Sequence, residues 1–235
     1  MEKIELVIKG ERFIDVNNPF GEKSQDYVCE NTFIFEKGKI YGIICEHGAG
    51  GEAISLLLSN EIPLKQEKIY IDDVEAEVSD IENLGWYVGK TLYYRFPLKR
   101  ELSSKQALEY AIKKYHCYEK LDDIVEEFHL TTGRLDYGLS RNCEWEKWRT
   151  SVAIGYASRK KVYCFPWMDT LRFYDCMYNS SVFRFFKKIV QEGAIIILPT
   201  SRKENVAGFV DSIIQIHSQR FERSISESSY FKECF

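Results

Sequence analysis

The stretch 33–58 contains residue types whose spacing could bind a phosphate group. An apolar run leads into a loop that carries Gly48, Gly50 and Gly51, and a segment of helical composition follows. A phosphate-binding loop of the pattern G-x-x-x-x-G-K-[ST] wraps phosphates with backbone N–H groups, neutralises them with its lysine and holds Mg²⁺ with its hydroxyl. The stretch therefore has the outline of a phosphate site.

This stretch lacks the lysine and the Ser/Thr that such a loop uses to bind phosphate and Mg²⁺. Cys45 stands at the first glycine and Gly50 at the second, while Gly51 replaces the lysine and Glu52 replaces the Ser/Thr. A lysine about 4 Å from a phosphate contributes on the order of 4 kcal/mol at an effective dielectric near 20. Glu52 is instead predicted to suit the helix dipole and to compete with a phosphate for the N–H groups. An anion cradle remains an alternative, but the pattern favours an inert structural turn.

Composition and charge exclude several classes of function. The 235 residues carry a net charge of −4, which argues against general nucleic-acid binding, and no uncharged apolar run approaches the roughly 20 residues that span a bilayer. The start of the chain does not resemble a signal peptide. Seven cysteines without C-x-x-C spacing indicate reduced thiols in a cytosolic chain, and the histidines show no metal-ligand spacing.

The elements that would position these residues alternate between strands and helices. Strand-like runs are predicted at 3–8, 13–16, 27–35, 40–44, 68–73, 84–88, 161–165, 194–198 and 212–217. Helices are predicted at 53–58, within 103–130, and at 148–158, 181–191 and 206–211. The polar run 17–26 is predicted to be a turn. This order predicts an α/β fold with a mainly parallel sheet covered on both faces, an N-terminal antiparallel region and an α-helical subdomain.

Five segments along the chain have a distinctive order and spacing. They are FIFEKGKIYGIICEHGAGG (33–51), EKIYIDDVEAE (67–77), LDDIVEEFHL (121–130), RTSVAIGYASRKKVYCF (149–165) and GAIIILPTSRKENVAGFVDSIIQI (193–216). Together they resemble the ATP-binding cassette of ABC transporters. The resemblance implies a P-loop NTPase-like fold and one cassette over 1–235. Its expected regions are a β and P-loop-like region of the core over residues 1–89, an α-helical subdomain over 90–147, the rest of the core over 148–217 and a polar tail over 218–235.

The functional positions of the family match poorly, which implies a degenerate cassette. Its glutamine loop falls on Gly89 and Lys90, and its signature falls on Asn142, Cys143, Glu144, Trp145 and Glu146, with Leu139 and Ser140 as an upstream remnant. The Walker B aspartate falls on Pro166, the catalytic glutamate on Trp167 and the H-loop histidine on Ser201. The D-loop aspartate falls on Phe173, and Phe20 is the candidate for stacking on adenine.

These replacements imply that the chain does not hydrolyse ATP, and that ATP with Mg²⁺ binds only weakly or with a partner's help. Phosphoryl transfer rests on positioning and on electrostatic stabilisation by cations, which this pattern lacks. The expected role is a peripheral subunit at the cytoplasmic face of the membrane, paired with an active cassette beneath membrane subunits. Tyr93, Tyr94 and Phe96 are the docking candidates. A scaffold or regulator outside transport is the alternative. The run 166–168 is either a new apolar contact surface or core filling.

Overall fold

The computed structural model describes residues 1–94 and 100–216. Its N-terminal region is antiparallel. One sheet has the strand order β4-β1-β6-β7, and β2 and β3 form a separate hairpin. The strands are β1 (Lys3–Ile8), β2 (Arg12–Asn17), β3 (Lys23–Val28), β4 (Asn31–Glu36), β6 (Glu67–Ile71) and β7 (Val74–Glu75).

A five-stranded parallel sheet forms the centre of the molecule, in the order β11-β5-β10-β9-β8. Its strands are β5 (Ile40–Ile44), β8 (Gly85–Tyr87), β9 (Val162–Cys164), β10 (Ile195–Thr200) and β11 (Ser212–Gln215). Every residue of β5 and β10 is buried, because helices or the antiparallel sheet cover both faces. The strands of a sheet buried on both sides read as continuous apolar runs, which is the pattern that the sequence shows.

The helices of the described residues lie between these strands in the chain. They are α1 (Gly51–Leu58), α2 (Val78–Leu84), α3 (Ser104–Tyr115), α4 (Leu121–Glu127), α5 (Glu144–Ala157), α6 (Thr170–Phe173), α7 (Phe183–Gln191) and α8 (Lys203–Val206). A π-helical segment, Tyr174–Asn179, continues from α6. Helix α3 begins at a capping box, in which the Ser103 hydroxyl accepts from the backbone of Gln106 and the Gln106 side chain accepts from that of Ser103.

Two apolar cores lie on opposite faces of the parallel sheet. The core that contains Ile43 of β5 also contains the apolar residues of α1 and of the antiparallel strands. The other core includes Trp148 of α5 and Phe186 of α7. The predicted α/β class, with a parallel sheet and an antiparallel N-terminal region, is confirmed.

Several predicted element boundaries are wrong in ways that matter for the site. The run 27–35 is not one strand, because the chain turns after Val28 and β4 begins at Asn31 in a different sheet. The polar run 17–26 is not all turn, because β3 begins at Lys23. Helix α5 begins at Glu144, one turn before the predicted start, and α8 ends at Val206, where the predicted helix begins.

Within residues 1–94 and 100–216, no helix combines the length and the apolar composition that crossing a membrane requires.

Candidate functional site

The loop between β5 and α1 lies at the carboxyl end of the parallel strands and is covered by strand β3. Gly50 precedes the first residue of α1 and has φ 103°, a conformation that L side chains rarely adopt. A Cβ at Gly50 would also lie 2.9 Å from the carbonyl oxygen of Tyr27. The backbone N–H of Tyr27 donates to the carbonyl of Gly48 at 2.9 Å. The loop is therefore in direct contact with the hairpin of the same chain.

A carboxylate from that hairpin occupies the N-terminal end of α1. The Asp26 carboxylate accepts hydrogen bonds from the backbone N–H of Gly50 and from that of Ala53, each at 2.7 Å. These N–H groups belong to the unpaired first turn of a helix, which is where a phosphate binds in phosphate-binding loops. Burial raises the pKa of Asp26, and the two N–H donors oppose that shift. An internal carboxylate thus takes the contacts that an anionic ligand would need.

The pairing of the hairpin explains why Asp26 points inward. In the register of β2 with β3, Asp26 lies opposite Ile14, and both side chains are buried. Directly opposite residues of an antiparallel pair share one face of the ribbon, so the face that buries Ile14 also buries Asp26. The sequence alone does not identify Asp26 as a site residue, because the polar run 17–26 predicts a turn there. The only signal in the sequence is an acidic residue directly before the apolar end of a strand.

Glu52 does not compete for the N–H groups of the helix, so that prediction is wrong. Its side chain turns into the core, where it accepts hydrogen bonds from the hydroxyl of Tyr87 and from the backbone N–H of Trp167. Burial raises the pKa of Glu52 well above 4.5, and the nearby charge of Asp26 acts in the same direction. Glu52 therefore joins α1 to β8 and to the segment after β9.

The indole of Trp167 packs against the loop and closes it on the side of the parallel sheet. Its Nε1 donates to the carbonyl of Cys45 at 3.0 Å, and its ring centroid lies 4.9 Å from that of His47. A Cβ at Gly51 would lie 2.5 Å from Cys45 Sγ and 3.3 Å from Trp167 Cδ1. The position that the resemblance gives to the lysine therefore has no room for a side chain unless its neighbours move.

The structure brings Cys45, Gly48, Gly50, Gly51, Glu52 and Trp167 together, but it directs Lys90 elsewhere. Lys90 Nζ pairs with Glu61, beyond the C-terminal end of α1, and lies 4.8 Å from the ring centroid of Trp86. Gly89 has φ 89°, and its N–H donates to Ser151 Oγ at 2.6 Å. The polar groups of this segment are thus engaged in contacts within the fold.

The predicted signature residues lie at the start of α5 and differ in their exposure. Asn142 is buried, and its Nδ2 donates to Ser104 Oγ at 3.1 Å. Glu146 is also buried and accepts from the backbone N–H of Thr131 at 2.7 Å. Cys143 is half-buried and Glu144 is exposed, with Glu144 accepting from the indole of Trp148 at 3.0 Å. Trp145 remains 54% exposed.

The run 166–168 fills the core and is not a contact surface. Pro166, Trp167 and Met168 are all buried. The carbonyl of Met168 accepts from Thr200 Oγ1 at 2.8 Å and from the backbone N–H of Ser201 at 3.3 Å. These bonds hold the segment after β9 against the end of β10. Of the two alternatives that the sequence left open, the packing favours core filling.

The remaining predicted residues lie outside this cluster. Tyr93 and Tyr94 are 47% and 43% exposed, and Phe96 lies outside the described residues. The ring of Phe20 lies 5.3 Å from that of Trp148 and beneath the guanidinium of Arg172, centroid to Cζ 4.7 Å. Hydrogen bonds from Arg172 lower the pKa of Glu22 to about 2. One face of Phe20 is therefore already covered by a cation of the same chain.

Comparison with known proteins supports one family. No family model matches the chain. The ABC transporter ATP-binding protein NatA of Bacillus subtilis (strain 168) is 27% identical over 212 residues, which cover 86% of this chain and 83% of that protein. The solved structure of an ATP-binding subunit of an ABC transporter matches with a TM-score of 0.64 at 16% identity, over 97% of each chain.

The fold of this chain is that of an ABC-type ATP-binding cassette. Two further structures agree with its fold. The dimeric cassette MJ0796 in a post-hydrolysis state, bound to ADP and Pi, matches with a TM-score of 0.63 at 13% identity, over 91% of this chain and 94% of that one. CbiO1 of Clostridium perfringens, part of the transporter complex cbiONQ, matches with a TM-score of 0.61 at 12% identity, over 99% and 94%. These comparisons confirm the resemblance to ABC ATP-binding cassettes that the sequence showed.

Proposed function

We propose that this cassette is a non-hydrolysing subunit of an ABC transporter complex, in which the loop between β5 and α1 is a structural joint. A nucleotide would have to displace Asp26 from the N–H groups of Gly50 and Ala53. That carboxylate is the observation that carries the proposal, because a covalently tethered anion competes with any phosphate at very high local concentration.

The other residues of the loop do not fit ATP and Mg²⁺ either. The lysine position is closed by Cys45 and Trp167, and the carboxyl group that replaces the Mg²⁺-binding hydroxyl is turned into the core. Trp167 and Pro166 stand where the resemblance places the two acidic residues of hydrolysis. ATP with Mg²⁺ is the ligand to test, because the relative is named an ATP-binding protein.

The partners that we propose are membrane subunits and a second cassette, an active one. Dimeric assembly is a property of MJ0796, and membership of a larger transporter complex is a property of cbiO1. In the family, a composite site takes its P-loop from one cassette and its signature from the other. Trp145, exposed at the start of α5, would then face the partner's nucleotide with a bulky ring.

Titration with a fluorescent ATP analogue, with and without Mg²⁺, tests the proposal directly. The wild-type chain is expected to show no saturable binding and no ATP hydrolysis. Asp26→Ala is expected to uncover the helix N-terminus and to gain weak binding of the analogue, because the unpaired N–H groups can then donate to a phosphate.

Asp15→Ala is the matched control, since Asp15 is an exposed aspartate of the same hairpin. It removes the same charge and is expected to leave binding undetectable. Hydrolysis by the wild-type chain, or saturable binding that Asp26→Ala does not strengthen, would contradict the proposed role of the carboxylate.

A further inference from the structure

The hairpin of β2 and β3 stands apart from the larger sheets. Among the described strands, β2 and β3 pair with each other and with no third strand. An isolated two-stranded hairpin is at best marginally stable in water, so this hairpin depends on contacts with the rest of the chain. Those contacts lie on its inner face, at its base and at its tip, which we define as residues 18–22.

The inner face of the hairpin covers the N-terminal end of α1. Besides the hydrogen bonds from Gly50 and Ala53 to Asp26, the two backbones are in direct contact. A Cβ at Gly48 would lie 3.3 Å from the carbonyl oxygen of Gln25. A phosphate has no room between the hairpin and the loop in this position, so access to the N–H groups requires that the hairpin move.

The base of the hairpin is anchored to the antiparallel sheet. Arg12, the first residue of β2, donates from Nε to Glu67 Oε1 at 2.6 Å and from a terminal nitrogen to Oε2 at 3.1 Å. Glu67 belongs to β6 and is buried. Two parallel hydrogen bonds between a guanidinium and a carboxylate fix the orientation of both groups. The hairpin is therefore held firmly at the end that is remote from its tip.

A side chain within the tip fixes its shape. Asn18 is buried, and its Oδ1 accepts from the backbone N–H of Phe20 and from that of Glu22, each at 3.1 Å. The Asn18 carbonyl also accepts from the N–H of Gly21 at 3.0 Å. An asparagine that bonds to the backbone nearby in this way stabilises a compact turn. The tip thus presents Phe20 and Glu22 together to the elements that face it.

A bidentate ion pair joins the tip to α6. Arg172 donates from both terminal nitrogens to the Glu22 carboxylate, and one of these bonds is 2.6 Å long. Most exposed ion pairs contribute little to stability, but a bidentate pair is an exception, and both partners here are half-buried. The guanidinium also lies over the ring of Phe20. The pair therefore connects the far end of the hairpin to the helical segment after β9.

Helix α5 contacts the tip beside this ion pair. Lys147 Nζ donates to the carbonyl of Pro19, and the ring of Phe20 packs against that of Trp148. Because the ring of Trp148 is itself buried in the core, α5 is a rigid surface against which the tip rests.

We propose that the hairpin is an autoinhibitory lid over the N-terminal end of α1, hinged at Arg12 and Glu67 and latched by Glu22 and Arg172. Asp26 lies two residues from the end of β3, about 7 Å along the strand. A tilt about the base therefore withdraws its carboxylate from the N–H groups of the helix while the base stays in place. The inference rests on the proposed function, in which that carboxylate replaces an external anion.

Native-state hydrogen exchange on the full chain, followed residue by residue by NMR at several low urea concentrations, measures the opening of the lid. The amides of Tyr27, Gly50 and Ala53 report on the lid, since each donates across the contact between hairpin and loop. Ile197, buried in β10, reports on global unfolding. In the wild-type chain the three amides are expected to be less protected than Ile197 and less sensitive to urea, because a local opening exposes less surface.

Glu22→Arg breaks the latch and places two cations together. It is expected to speed the exchange of all three amides by about tenfold, which corresponds to a loss of about 1.4 kcal/mol from a charge-assisted, bidentate contact. The double variant Glu22→Arg with Arg172→Glu reverses the pair and should return the three rates to within about threefold of wild type. Glu30→Arg is the matched control, because it makes the same charge change at an exposed residue just beyond the base of the hairpin, and it should leave the three rates unchanged.

Three results would overturn the lid. They are protection of the three amides equal to that of Ile197 in the wild-type chain, which means that the hairpin opens only when the whole chain unfolds; unchanged exchange of these amides in Glu22→Arg; and no recovery in the charge-reversed pair. Saturable binding of the ATP analogue by the wild-type chain would contradict the proposed function. Unchanged exchange in Glu22→Arg, beside a gain of binding in Asp26→Ala, would reject the lid alone.

Discussion

Gly51 illustrates how closely single residues around the loop are packed. A methyl group at this position would approach Cys45 Sγ to 2.5 Å and Pro199 Cβ to 3.1 Å. Cys45 directly follows β5, Pro199 belongs to β10, and both are buried. The packing around the first turn of α1 therefore requires a glycine at this position, although glycine has a low helix propensity.

Gly51→Ala is expected to destabilise the chain by about 1–3 kcal/mol, because overpacking a filled core forces its neighbours to move. Urea unfolding measures this change. Gly133→Ala is the control, since no atom of the described residues crowds a Cβ there, and it should change the free energy of unfolding by less than about 0.5 kcal/mol. Equal stability of the two variants would show that the loop relaxes freely around Gly51.

Glu52 gives a prediction about pH. Its pKa is raised well above 4.5 in the folded chain, whereas it is ordinary in the unfolded chain. The folded state therefore binds the proton more tightly, so stability falls as pH rises from about 4.5 toward the raised folded value. Glu52→Gln should flatten this decline in urea unfolding at constant ionic strength. Part of the decline in stability should remain in this variant, because the pKa of Asp26 is also raised in the folded chain.

Glu46→Gln is the control for that experiment, because Glu46 is an exposed carboxyl of the same loop. Its stability should follow the wild-type dependence on pH. A Glu52→Gln variant with the full wild-type decline would mean that the carboxyl of Glu52 is not responsible for it.

Among the elements, the hairpin of β2 and β3 acts as the cap of α1. Gly50, the residue before the helix, has no side chain to cap it, and the hydrogen bonds from Gly50 and Ala53 reach across 24 and 27 residues of sequence to Asp26. The hairpin thus supplies the acceptor that the first turn of α1 lacks in its own sequence.

Asp26→Ala is expected to lower the free energy of unfolding by about 1–3 kcal/mol, because it leaves two buried N–H groups without an acceptor. Amide hydrogen exchange should show faster exchange at Gly50 and Ala53 in particular. Asp15→Ala should change neither quantity. Slow exchange at both amides in Asp26→Ala would indicate another acceptor at the helix N-terminus.

These elements also show how far the sequence predicts the fold. The apolar runs of β5 and β10 predict a buried parallel sheet correctly, because burial on both faces leaves little room for polar residues. The start of α5 is missed by one turn because Glu144 and Trp145 carry no apolar periodicity. Asp26 could not be assigned from the sequence, since its role depends on the register with Ile14 and on a distant helix.

At the scale of the whole molecule, the exposed large apolar side chains are relevant to assembly. Trp145 at the start of α5, and Leu171 and Tyr174 in the helical segment that follows β9, are 54%, 72% and 55% exposed. Large apolar side chains of this kind form the centres of protein interfaces. The proposed pairing with a second cassette would cover the ring of Trp145.

Trp145→Ala is expected to leave the free energy of unfolding within about 0.5 kcal/mol of wild type, because the ring is largely exposed. It should lower the recovery of a second cassette and of membrane subunits with the tagged chain after detergent extraction, as quantified by mass spectrometry. Tyr137→Ala, which removes another exposed aromatic ring, should leave recovery unchanged. Purification of the wild-type chain without any membrane subunit would contradict the transporter role and favour a scaffold.

The carboxylate of Asp26 at the start of α1 also bears on how the chain responds to its surroundings. A cassette that binds nucleotide in this loop becomes more stable as the nucleotide concentration rises above the dissociation constant of the complex. In this chain the equivalent anion belongs to the polypeptide, so its effective concentration never changes. Its melting temperature is therefore expected to stay constant whether ATP is abundant or exhausted, which would suit a subunit that must keep its shape while the energy supply of the cell varies.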